Sequence, residues 1–114
     1  MLLKDKVVIV SGIGPGLGVK LAVEAAREGA CGVVVAARSQ DKLDDAEARI
    51  QLLGVKTEIV KQTCDITKRE QCDALAALAA KRFGKVDALV NSAFYHGEMD
   101  YAMTANLDDW RDVI

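Results

Sequence analysis

The sequence predicts an α/β protein built on a parallel sheet, and three observations predict it. Short apolar runs rich in Val and Ile alternate with longer stretches whose apolar residues recur at helical spacing. The connections between them are short and carry glycine, as strand–helix–strand units require. The first run leads into an unusually glycine-dense turn, SGIGPGLG at residues 11–18, which opens the first helical stretch.

Each element has its own justification. Lys6–Val10 is a short Val- and Ile-rich run bounded by glycine, which fits a strand buried on both faces. Leu17–Arg27 follows as a helix with Leu21, Ala22, Ala25 and Ala26 on one side, closed by Gly29. Gly32–Ala37 is a second buried strand. Asp41–Leu53 is a second helix, its stripe made of Leu43, Ala46, Ile50 and Leu53 and its end marked by Gly54. Thr57–Gln62 reads TEIVKQ, with strand propensity but more polar, as expected at a sheet edge. Thr67–Phe83 is a third helix with Leu75, Leu78, Ala79 and Arg82/Phe83 in register, followed by Gly84. Val86–Val90 is a fourth strand, and Asp108–Ile114 reads as the opening turns of a fourth helix. That last helix stops in mid-stripe without a capping residue, so the sequence is expected to be a piece of something longer.

Composition bounds the possibilities. A chain of 114 residues holds one domain, and 51% hydrophobic with 28% charged residues and a single proline is a globular composition. The net charge of −2 is spread over interleaved acids and bases, which argues against a nucleic-acid surface. Cys31, Cys64 and Cys72 form no CxxC pair, and an odd count suits a reduced cytosolic chain. His96 is the only histidine and sits in no ligand-like spacing, so no metal site is expected. The start, MLLKDK, lacks a signal-peptide core, and the longest apolar runs fall far short of the roughly 20 residues of a membrane span. A soluble cytoplasmic protein is the expectation.

The glycines fit neither a P-loop, since no GKS or GKT follows, nor GxGxxG, since Leu17 or Val19 holds the third glycine position. GxxxGxG does fit, with Gly12, Gly16 and Gly18. In such a loop one glycine permits the sharp turn off the strand, the next lets a pyrophosphate approach the backbone, and the last lets the helix pack close. The helix start then offers unpaired N–H groups and partial positive charge to the phosphates.

Here the sequence resembles the short-chain dehydrogenases/reductases. Their TGxxxGxG motif is matched by Ser11, Gly12, Gly14, Gly16, Leu17 and Gly18 in place, with Ser for Thr. AARS ends the second strand. CDIT follows the third, with Asp65 at the family's adenine-contacting aspartate and Ile66 beside it. VNSA follows the fourth and resembles NNAG, keeping Asn91 and Ala93. The resemblance spans the whole chain and implies a Rossmann-like doubly wound parallel sheet, truncated to about four strands in the order 3-2-1-4. It implies a dinucleotide cofactor, with a small-molecule alcohol or carbonyl as substrate only in a full-length parent. Ser92 and Phe94 depart from the pattern, and Phe94 adds bulk where the nicotinamide ribose would lie. Phe94 and Tyr95 either pack on a loop or border a substrate pocket.

Where family members selective for NAD place a carboxylate on the adenosine ribose, this sequence has Ala36 and Ala37 and then Arg38 and Ser39. Arg38 could pair with a 2′-phosphate and Ser39 could add a hydrogen bond, which favours NADP over NAD. The alternative is that Arg38 is an ordinary solvated charge and that Asp41 or Asp44 supplies the acid. Pro15 stands where NADP-preferring relatives often carry a base.

The family's chemistry uses a tyrosine with a lysine four residues on, which tunes the phenol toward working pH. Tyr95 is followed at that distance by Met99 and Tyr101 by Ala105, so neither makes the pair. Tyr95, His96 and Glu98 share a loop without a lysine partner, and no catalytic residue is assigned. Two other natures stay open: a non-catalytic module that covers its strand Val86–Val90 with a partner or second copy, and a truncated product without activity.

Overall fold

The computed structural model of the chain describes residues 2–13 and 16–92. Within them seven elements alternate: β1 (Val7–Ser11), α1 (Leu17–Arg27), β2 (Gly32–Ala37), α2 (Gln40–Gln51), β3 (Glu58–Thr63), α3 (Arg69–Phe83) and β4 (Ala88–Asn91). The expected helix at Asp108–Ile114 lies outside the described residues. The four strands form one parallel sheet in the order β3-β2-β1-β4, the order the resemblance implies.

Burial explains the two central strands. Every residue of β1 and β2 is buried, so VVIVS and GVVVAA need no polar face and read as continuous apolar runs. The strand period of two then sorts side chains between two layers. Val8, Val10, Val33 and Val35 meet Val19, Ala22 and Ala26 of α1 and Leu43, Ala46 and Ile50 of α2. Ile9, Val34 and Ala36 point to the other side, where Leu75 and Ala79 of α3 cover them. Each fully buried valine contributes about 1.5–3 kcal/mol relative to exposure. β3 is only partly buried, consistent with its polar sequence and its place at one edge. β4 forms the other edge among the described residues, with Leu89 63% exposed.

The boundaries differ from the sequence expectation where side chains replace ladder or helix bonds. α3 begins at Arg69 and not Thr67, because the Thr67 N–H and hydroxyl both donate to Asp65 Oδ1, at 3.0 and 2.7 Å. That turn uses the N–H that a longer helix would have employed. Thr57 stays outside β3 and donates its hydroxyl to the Ala30 carbonyl at 2.6 Å, tying the strand's entrance to the end of α1. β4 begins at Ala88 because Asp87 pairs with β1 in its own way. The Asp87 N–H donates to the Val7 carbonyl at 2.9 Å, and the Val7 N–H donates to Asp87 Oδ2 at 2.8 Å.

Asp87 Oδ2 also lies 3.1 Å from Lys85 Nζ. The Val7 N–H first, and Lys85 second, hold the Asp87 carboxyl below its ordinary value of 3.8. A depressed carboxyl contributes stability that is present above the unfolded-state value and is lost as pH falls through the folded one. Replacing Asp87 by Asn should therefore destabilise the chain at pH 7, and the gap between variant and native should close below about pH 4. Urea midpoints for both proteins at pH 7 and pH 3 measure it. An equal gap at the two values would mean that the ionised carboxylate is not what holds β4 to β1.

Candidate functional site

The C-terminal ends of all four strands open onto one cleft of about 530 Å³, within the range of about 300–1,000 Å³ usual for small-ligand sites. It lies beside the point where the strand order reverses, between β1 and its neighbours β2 and β4, where open parallel sheets bind ligands. Three βα connections and the residue after β4 build its walls.

The β1–α1 connection supplies Ser11, Gly12, Ile13, Gly16, Leu17 and Gly18. Here the three glycines have separable duties. Gly12 has φ +85°, a conformation that favours glycine, and its N–H donates to the Ala36 carbonyl at 2.9 Å, so the chain turns while still tied to β2. A Cβ on Gly18 would stand 2.2 Å from the Gly12 carbonyl oxygen, so α1 crosses the end of β1 at a distance only glycine permits. Gly16 is different. Nothing lies within 4 Å of a Cβ there, so its bareness serves no contact within the described protein. It caps the start of α1, whose first turn contains no acidic residue to compete for an anion.

Ser92 secures this loop from the other side. Its hydroxyl donates to the Ser11 carbonyl at 2.8 Å and lies 3.3 Å from the Gly12 carbonyl. Its backbone N–H also donates to the Ser11 carbonyl, at 3.0 Å. The Ser11 hydroxyl in turn donates to Asn91 Oδ1 at 2.8 Å. The Ser-for-Thr and Ser-for-Asn departures thus belong to one hydrogen-bonded joint between β1 and β4.

The β2–α2 connection brings Arg38, Ser39 and Lys42 to the cleft. Neither candidate acid joins them. Asp44 is bonded to Lys61 Nζ at 2.9 Å and to Gln40 Nε2 at 2.9 Å, and these bonds, that to Lys61 first, keep its carboxyl below the usual value. Asp41 does not line the cleft either. The β3–α3 connection adds Cys64, Asp65, Ile66 and Thr67. Asp65 accepts both Thr67 bonds, which chiefly lower its carboxyl, with Arg38 a smaller electrostatic contributor.

Of the residues singled out from sequence, Ser11, Gly12, Gly16, Leu17, Gly18, Arg38, Ser39, Asp65 and Ile66 meet in this one cleft. Asn91 ends β4 and reaches it only through Ser11. Gly14 and Ala93 lie outside the described residues, as do Phe94, Tyr95, His96 and Glu98. The sequence reasoning missed Lys42 and the anchoring role of Ser92. Lys42 had left a signal: a cation in the first helical turn opposes the helix dipole and gains nothing there unless an anion sits nearby. No group of three or more metal-ligating side chains occurs among the described residues, and none of their helices is long and apolar enough to cross a membrane.

Comparison with known proteins agrees with the fold. The family model described as short chain dehydrogenase matches residues 6–114. The 11-beta-hydroxysteroid dehydrogenase A of Sesamum indicum is 36% identical over 104 residues, covering 91% of this chain and 28% of that protein. A variant of actinorhodin polyketide ketoreductase, solved with NADPH, superposes with a TM-score of 0.82 at 30% identity, over 96% of this chain and 40% of its own. NAD+-bound xylitol dehydrogenase gives 0.83 at 29% identity, over 97% and 42%. The chain thus spans less than half the length of each.

The glycine duties separate experimentally. Gly18→Ala should cost about 1–3 kcal/mol or more in unfolding free energy, because a backbone carbonyl must give way. Gly16→Val, which meets no neighbouring atom, should cost less than Gly18→Ala, while removing ligand affinity. Calorimetry on both variants measures the first pair of effects. Equal destabilisation by the two would show that Gly16 is a packing residue.

Proposed function

Because the chain belongs to the short chain dehydrogenase family, we propose that its cleft binds a nicotinamide adenine dinucleotide, NADP in preference to NAD. We propose further that the 114 residues are the cofactor-binding part of an oxidoreductase acting on an alcohol or carbonyl. When bound, the nicotinamide ring gives or takes the hydride. The chain's own residues supply placement.

The single observation that carries the reading is the distribution of charge and bare backbone along the cleft. Gly16 offers open backbone at an α1 start free of acids, where a pyrophosphate fits. Arg38 and Lys42 put two cations, and no carboxylate, at the end of β2. Two cations suit a 2′-phosphate, which a ribose-binding carboxylate would repel. Asp65, held by Thr67, lines the same cleft and could accept a hydrogen bond from an adenine amino group there. Gly14 and Ala93 are assigned to the same site from the sequence resemblance. Substrate, and the groups that exchange protons with it, belong to the longer protein, since no Tyr-x-x-x-Lys occurs in this sequence. The exposed edge of β4, where Leu89 is 63% accessible, is the place at which that protein's sheet would continue.

Fluorescence titration with NADPH and NADH tests the assignment. NADPH should bind more tightly. Arg38→Ala and Lys42→Ala should each weaken NADPH about tenfold, the size of one charge-assisted hydrogen bond, and change NADH less than about twofold. Tighter NADH binding, or equal losses for both cofactors, would overturn the preference for NADP. Absence of saturable binding to either would overturn the site.

A further inference from the structure

Two cysteines flanking the β3–α3 connection have no part in the reading above. Cys64 follows β3 directly, is 4% exposed, and donates its N–H to the Ala37 carbonyl at 2.8 Å. Its side chain lines the cleft. Cys72 lies in the first turn of α3, half-buried, and its thiol donates to the Ile66 carbonyl at 3.6 Å. Both pack in the apolar cluster between β2 and α3, and the Cys72 thiol reaches the main chain two residues after Cys64. Between them in sequence lie Asp65, Ile66 and Thr67, three of the cleft's lining residues.

We propose that Cys64 and Cys72 form a reversible intramolecular disulfide that tethers the β3–α3 connection and weakens dinucleotide binding. The oxidant is a low-molecular-weight disulfide. The more accessible Cys72, as thiolate, attacks one of its sulfurs, forming a mixed disulfide and releasing one small thiol. Cys64, as thiolate, then attacks the Cys72 sulfur and displaces the second small thiol. Two protein thiols are oxidised, the small disulfide is reduced to two thiols, and the two protein protons pass to the released thiolates.

Geometry favours this pair over one between Cys31 and Cys64. Cys31 precedes β2 at one end of the sheet and Cys64 follows β3 at the opposite end. Six strand residues at about 3.3 Å each separate those ends, far beyond the reach of about 7 Å between Cα atoms that a disulfide tolerates. Burial first, and the neighbouring Cys72 thiol second, push the Cys64 thiol up to about 11, so ring closure should accelerate with rising pH. Bond formation removes the Cys72 hydrogen bond to the Ile66 carbonyl and closes a ring around the segment that holds Asp65 and Thr67. The weakened binding rests on the dinucleotide reading; the disulfide itself does not.

The test is oxidation of the Cys31→Ser chain, which lacks the exposed thiol that would itself take up glutathione, with oxidised glutathione at pH 8. Its two remaining thiols should both be lost, the intact mass should drop by about 2 Da, and peptide mapping should join Cys64 to Cys72. Dithiothreitol should restore both thiols. The NADPH dissociation constant should rise at least about tenfold on oxidation, with no such rise in oxidant-treated Cys72→Ser. Glutathione retained on Cys72 without closure would overturn the disulfide. A bridge that leaves NADPH affinity unchanged would overturn its effect on binding. If the reduced chain fails to bind NADPH while the bridge still forms, the dinucleotide reading fails and the coupling with it, and the disulfide site stands.

Discussion

Everything at the cleft depends on how closely α1 crosses the end of β1. Gly18 sits against the Gly12 carbonyl with no room for a Cβ, and that contact fixes where the first turn of α1 points. The approach is backbone against backbone, so no side-chain rotation can relieve a larger residue there. With α1 so placed, its acid-free N-terminus faces the space outside the strand ends, and Gly16 is left bare beside it. The Gly12 and Ile13 N–H groups, both donated to the Ala36 carbonyl, keep the same loop registered against β2. On the other side Ser92 and the Ser11–Asn91 bond register it against β4. The β1–α1 loop is therefore held by α1, by β2 and by β4.

The sheet makes this possible by being buried twice. The alternation of Val8 and Val10 toward α1 and α2 with Ile9 toward α3 leaves β1 no solvent face. Its end is the only part of the strand available for binding. The same logic puts the cations at the end of β2, where Arg38 is the first exposed residue after six buried ones. Chemistry and stability are thus separated along β1 and β2, with apolar residues in the body and polar or glycine residues at or just past the carboxyl end.

Much of this was legible in the sequence for a physical reason. Runs such as VVIV and GVVVAA are costly anywhere but in a strand covered on both faces, and the glycines after the first run have few roles outside a tight βα turn. What escaped was decided by side chains acting on distant backbone. The late start of α3 follows from Asp65 capturing the Thr67 N–H, and the late start of β4 follows from Asp87 accepting the Val7 N–H. The acceptors of Ser92 lie some 80 residues upstream, which no local pattern displays. Lys42 sits in QDKLDD, where its place in the first turn of α2 was the one local signal, and the fold brings it to the cleft that Arg38 also lines. Asp44, in that same run, looked equally eligible as a ribose ligand, but Lys61 of β3 engages it.

The central claim is that one cleft, formed by these strand ends, receives a dinucleotide. Amide hydrogen exchange of the full chain with and without saturating NADPH tests it most directly, because it reports on each connection at once. Slowed exchange is predicted at the start of α1, at residues 38–42 and at residues 65–67, with the buried body of α3 unchanged. Exchange that is unaffected at all three connections, or slowed only along the β4 edge, would contradict it.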